Sequence, residues 1–197
     1  VAPDQEPVLV LPELELPKVN LFPYKVQAFA YGENPSEWEN AFRKAAHSLG
    51  LDGKRIGVEP RQLRLLEFRH VKAGASEADF PDATDVLAGL RLRKDKTEVD
   101  AMRKAVRIAQ SALEAMILQI KIGMTEKELS SELVMQLLKH GSESEIPFAP
   151  IVSAGPNSAN PHASPTERKL QAVDLLVVDW GAAYDGYISD LTRTFAV

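Results

Sequence analysis

The sequence contains no cysteine. Disulfides, thiolate metal sites and a cysteine nucleophile are therefore excluded, and the composition agrees with a cytoplasmic location. It has no excess of basic charge either. Lys and Arg total 23 against 28 Asp and Glu, a formal net charge of −5. That balance argues against a broadly nucleic-acid-binding surface, although a local basic patch stays compatible with it. No apolar run approaches the roughly 18–20 residues that span a bilayer. The opening Val1-Ala2-Pro3-Asp4-Gln5-Glu6 has neither the basic start nor the apolar core of a signal peptide. Internal repeats and low-complexity tracts are missing too. What is present is an average globular composition, 45% hydrophobic and 26% charged over 197 residues. This length suits one large domain or two small ones with a real core.

Strand-like and helix-like segments alternate, which points to an α/β or α+β fold. Val8 to Leu11, boxed by Pro7 and Pro12, reads as a short strand. Ser36-Glu37-Trp38-Glu39 has the form of a capping box opening a helix that Gly50 ends. Lys54 to Val58 reads as a strand and residues 61–67 as a short helix. The charged run Arg91 to Glu98 marks a domain junction near residue 90 or, equally well, a solvated helix start. Val99, Met102, Val106, Ala109, Leu113, Met116 and Ile120 then recur at helical spacing up to Gly123. Thr125 to Glu128 is a second capping box. Leu129, Leu133, Leu137 and Leu138 follow on one face, and Gly141 stops the helix. Residues 142–168 are rich in Ser, Pro, Asn and Gly, with one short strand expected around Pro150 to Ser153.

The chemistry lies near the end of the sequence. Asp174 to Gly181 and Tyr187 to Val197 are strand-like and flank Asp185-Gly186, a type I′ hairpin signal. A two-residue loop sets Tyr184 opposite Tyr187 and Asp179 opposite Thr192, with Gly181 opposite Asp190, where its missing side chain leaves the gap uncrowded. Asp179 and Asp190 then share one sheet face as diagonal neighbours, about 7–8 Å apart. Two carboxylates so placed repel each other, and divalent cations resolve the repulsion. The alternative from these residues alone is a solvated face with two hydrated carboxylates. His162 follows Pro161 in a loop, where a surface role is the default. His47, His70 and His140 read as solvated, Asp185 as a turn residue, and Arg193 as lying on the face opposite Asp190.

The stretch Ile151-Val152-Ser153-Ala154-Gly155-Pro156-Asn157-Ser158-Ala159-Asn160-Pro161-His162 precedes the Asp179 strand, and Gly186-Tyr187-Ile188-Ser189-Asp190-Leu191-Thr192-Arg193-Thr194-Phe195 follows it. In this combination and order the chain resembles the metallopeptidases of the pita-bread fold, most closely the Xaa-Pro peptidases (aminopeptidase P and prolidase). The resemblance implies the later part of a creatinase-like amino-terminal α/β domain over residues 1–90. It implies the first half of a pita-bread catalytic domain over 91–197. Asp179 would bind one of two divalent ions, Mn²⁺ or else Co²⁺ or Zn²⁺, and Asp190 would bridge both. His162 would hydrogen-bond beside the scissile amide. The family set of two Asp, one His and two Glu is incomplete here, so the remaining ligands are expected outside this chain, and the chain alone is expected to be inactive. The implied partner is a peptide with proline at its second position, acted on by a cytoplasmic homodimer. The alternative within the same fold is a non-peptidase member, a creatinase-like enzyme or a binding module.

Overall fold

The computed structural model describes residues 5–197; the part of the signal-peptide expectation that concerns Val1 to Asp4 lies outside the described residues. The chain forms two compact units, Val1–Arg93 and Lys94–Val197.

In the first unit, strands β1 (Val8–Pro12) and β2 (Gln27–Tyr31) pair in parallel, with Val8 opposite Gln27. A short helix α1 (Leu16–Val19) lies in the crossover between them. Helix α2 (Pro35–Ser48) buries Ala41, Ala45 and Ala46 and packs on α3 (Leu65–Gly74), where Gly74 is pressed against Ala46. The helix α2 starts earlier than the Ser36 capping box predicts. Asn34 is the cap, its side chain accepting from the Ser36 N–H, and Pro35 supplies the fixed φ that suits a first helical position. Lys54 to Val58 forms isolated bridges, Arg55 with Asp79 and Val58 with Asp82, rather than a strand. The helix expected at 61–67 lies instead at 65–74. His70 is not solvated as expected: its ring stacks on Phe42 with centroids 5.2 Å apart. Helix α4 (Thr84–Leu92) ends this unit.

The second unit carries two helices against a three-stranded sheet. Helix α5 (Lys96–Ile117) opens with a capping box of Asp95 and Glu98, so the charged junction is its N-terminus. Helix α6 (Glu126–Lys139) opens with the Thr125–Glu128 box. Strands β3 (Ile151–Ala154), β4 (Leu175–Trp180) and β7 (Leu191–Ala196) form an antiparallel sheet with β4 central. Between β4 and β7, the short strands β5 (Ala183–Tyr184) and β6 (Tyr187–Ile188) make the hairpin. Leu176, Val178 and Trp180 alternate inward from β4 and meet Ile108, Ala109, Ala112, Leu129, Leu133 and Leu137. Each fully buried leucine contributes about 1.5–3 kcal/mol. Leu138 is exposed, so the apolar stripe of α6 is narrower than its leucines suggest.

Candidate metal centre

The hairpin forms in the expected register: Tyr184 faces Tyr187 and Asp179 faces Thr192. Asp185 and Gly186 both take positive φ, 51° and 73°, as a type I′ loop requires. Asp179 lies on the face of β4 turned away from the helices, since its neighbours Val178 and Trp180 are buried among them. Asp190 immediately precedes β7 and is exposed.

Each carboxylate stands beside a residue tied to helix α5. Trp180 donates its indole N–H to the Ala109 carbonyl at 2.8 Å. Ser189 donates its hydroxyl to the Ala105 carbonyl at 3.3 Å and accepts from the Ala182 N–H at 3.0 Å. The two carbonyls are four residues apart and thus share one helix face. The alanine-rich face of α5 lets the hairpin approach closely enough for both bonds. Gly181 is needed for a different reason from the one expected. A Cβ there would lie 2.0 Å from the Ser189 carbonyl oxygen, so close backbone approach, not room beside Asp190, demands glycine.

His162, Asp179 and Asp190 line one cleft of about 390 Å³, walled by Phe148, Pro150, Ile151 and Pro165. Burial pushes the Asp179 carboxyl above its ordinary pKa, the Asp190 charge pushes the same way, and Thr192 and His162 counter it. One oxygen of Asp179, Oδ1, is buried without a hydrogen-bond partner. A buried unpaired carboxylate oxygen is costly unless a cation faces it. Hard oxygen donors of this kind suit divalent ions, so the residues present fit a metal. Among the described residues no group of three or more potential ligands converges.

Residues 100–197 match the family model for metallopeptidase family M24. The chain belongs to that family. Among curated proteins, this M24 chain is 28% identical to the Xaa-Pro dipeptidase of Lactobacillus delbrueckii subsp. lactis, over 98% of the chain and 52% of that protein. Among solved structures it superposes on the X-Pro aminopeptidase from Thermotoga maritima MSB8, with a TM-score of 0.82 and 25% identity, over 98% of this chain and 53% of that one. The prolidase from Pyrococcus furiosus gives a TM-score of 0.78 and 28% identity over 95% and 55%. The mixed helix-and-strand fold is that of the pita-bread structures, and the M24 chain spans about half the length of the relatives it matches. Among the described residues no helix is long and apolar enough to cross a membrane.

One buried carboxylate beside this centre escapes sequence reasoning. Glu126, at the first position of α6, is fully buried. Its place inside the Thr125–Glu128 box carries no sign of burial, and only the folded chain brings Asn157 and Thr166 to it.

Proposed function

We propose that the longer protein, of which this chain covers about half the length of its relatives, is a two-metal Xaa-Pro peptidase. It hydrolyses the peptide bond before proline, as an aminopeptidase or a dipeptidase. Residues 1–90 are the later part of the amino-terminal domain and 91–197 the first half of the catalytic domain. The single observation that carries the reading is the orphaned Asp179 Oδ1 in a cleft shared with Asp190 and His162.

In this reading Asp179 would hold one divalent ion and Asp190 would serve as a ligand to both. When bound, such ions lower the pKa of water toward neutrality and polarise the scissile carbonyl. His162, exposed on the cleft rim, donates a hydrogen bond to substrate beside the scissile amide and stabilises charge that builds there. Phe148, Pro150 and Ile151 provide an apolar wall that excludes water from one side. The other ligands lie outside this chain, so the isolated chain is inactive. Manganese, with cobalt or zinc as alternatives, a homodimer and a cytoplasmic location complete the reading on the strength of the family resemblance.

The test replaces Asp190 with Ala in the full-length parent protein and measures cleavage of an Xaa-Pro dipeptide and an Xaa-Pro oligopeptide with Mn²⁺. Loss of a partner behind a metal ligand already costs roughly 10–100-fold, so loss of a shared ligand should exceed about 100-fold. Bound metal should fall in parallel. Unchanged cleavage would sink the assignment.

A further inference from the structure

The loop that carries His162 begins and ends at one carboxylate. Strand β3 runs out at Ala154, the chain winds through a 3₁₀ turn over Gly155–Ala159, and it returns to Thr166. Glu126 Oε1 accepts the Ala154 N–H at 2.8 Å on the outgoing stem. Both its oxygens accept the Asn157 side-chain amide at 3.1 Å. On the returning stem, Oε2 accepts the Thr166 N–H at 2.9 Å and its hydroxyl at 2.6 Å. The backbone repeats the pattern, with the Glu126 and Lys127 N–H groups donating to the Arg168 and Thr166 carbonyls.

Such an arrangement calls for a physical reason. A fully buried carboxylate is stable only when its oxygens are satisfied, and the donors to the Glu126 carboxylate, Ala154, Asn157 and Thr166, all come from this loop and its stems. An apolar residue at this position would pack in the core with no demand on the loop. A carboxylate instead couples the two stems to each other and to the start of α6. A second clasp lies next to it. Arg168 and Asp174 form a bidentate pair at 2.7 and 2.9 Å, seated over Gly155, where a Cβ would meet both partners within 2.6 Å.

We infer that Glu126 is a positioning residue: it clasps the two stems of the 155–165 loop and thereby fixes His162 at the rim of the Asp179–Asp190 cleft. The inference rests on the peptidase reading for what His162 does there. It adds a residue that touches neither metal nor substrate. Misplacement of a substrate-contacting group by about 1 Å costs on the order of 10²-fold in rate. Glu126→Gln keeps the shape but turns an amide N–H₂ toward donors on one of the two stems, so one side of the clasp opens.

The experiment compares E126Q, H162A and the double variant E126Q/H162A in the full-length, Mn²⁺-loaded protein. Rates are normalised to bound metal, and amide hydrogen exchange is followed over residues 155–166. E126Q is expected to lower kcat by roughly tenfold or more, to leave bound metal unchanged and to speed exchange of the loop amides by at least about tenfold. In the H162A background, E126Q should cost little further activity, because the two act through one group. T166V, which removes the hydroxyl that donates to Glu126 and accepts from the Asn157 amide and the Arg168 N–H, should shift both readouts in the same direction and serves if E126Q does not fold; T166S should restore them. An E126Q penalty of equal size with and without His162 overturns the inference, as does unchanged loop exchange. If D190A and H162A leave cleavage intact, the site assignment on which the inference rests fails, while loop exchange still decides whether Glu126 is the clasp.

Discussion

Replacing Gly181 with alanine puts the geometry of the centre under direct strain. The added Cβ would sit 2.0 Å from the Ser189 carbonyl oxygen and 3.2 Å from the Phe148 ring. To reach even 3.0 Å the carbonyl must retreat by about 1 Å, and the obstacle is backbone, which cannot rotate away as a side-chain tip can. Ser189 is held by its N–H to Ala182 at 2.9 Å and by hydroxyl bonds to Ala182 and Ala105. Overpacking costs about 1–3 kcal/mol, and weakening one or two hydrogen bonds adds about 0.5–1.5 kcal/mol each. The expected loss is roughly 2–5 kcal/mol for the second unit. Because Asp190 follows Ser189 directly, the same shift should weaken Mn²⁺ binding by the full-length protein. The stability assay is urea unfolding of the 197-residue chain in a W38F background, where Trp180 is its one remaining tryptophan and reports on the second unit. A Gly181→Ala protein within about 0.5 kcal/mol of its parent, with unchanged Mn²⁺ affinity, would refute the close-approach argument.

Three further outcomes follow from the same interactions. Burial raises the Glu126 carboxyl, but its bonds from Thr166, Ala154 and Asn157 outweigh burial and hold it below the ordinary value of 4.5. Its folded pKa is thus depressed, so its stabilisation is present above about 4.5 and is lost as pH falls through the folded value. The facing cation Arg168 keeps its charge over that range. Protection of the 155–166 amides, corrected for the intrinsic exchange rate, should therefore fall on acidification below about pH 4.5, and E126Q should weaken that dependence, Asp174, whose carboxyl Arg168 also holds below its ordinary value, contributing the rest. Thr125→Ala removes the hydroxyl that accepts the Glu128 N–H at 3.1 Å and should cost about 1 kcal/mol, with Thr125→Ser near neutral, both read by denaturant midpoint. Leu133→Ala, at a fully buried site facing the sheet, should cost about 2–5 kcal/mol by the same measurement, and a loss below 1 kcal/mol would contradict its place in the core.

Much of this molecule follows from local chemistry. The Thr125–Glu128 box, the leucine spacing of α6 and the Asp185-Gly186 turn depend on residues within a few positions of one another, so their geometry is written in the sequence. The hairpin register follows from the turn because side chains alternate with period two, and it carries Asp179 opposite Thr192. Where local signals competed, the sequence misled. Asn34-Pro35 outranked Ser36 as a helix start, since proline presets the first helical φ. Lys54 to Val58 has strand-like residues but finds bridging partners at only two points, and a ladder needs a continuous neighbour.

The remaining decisions belong to tertiary structure. Alternation alone placed both carboxylates on one face, but only packing of Trp180 and Ser189 onto α5 decided that this face is not the helical one. Gly181 looked like space and proved to be backbone contact, a distance set by a residue eight positions away. Glu126 looked like a helix-start acid, and became the buried hub of the His162 loop because Ala154, Asn157 and Thr166 converge on it from 28 to 40 residues along the chain. A sequence states which donors and acceptors exist; the fold decides which of them lose water together, and that shared desolvation sets both the orphaned oxygen of Asp179 and the satisfied carboxylate of Glu126.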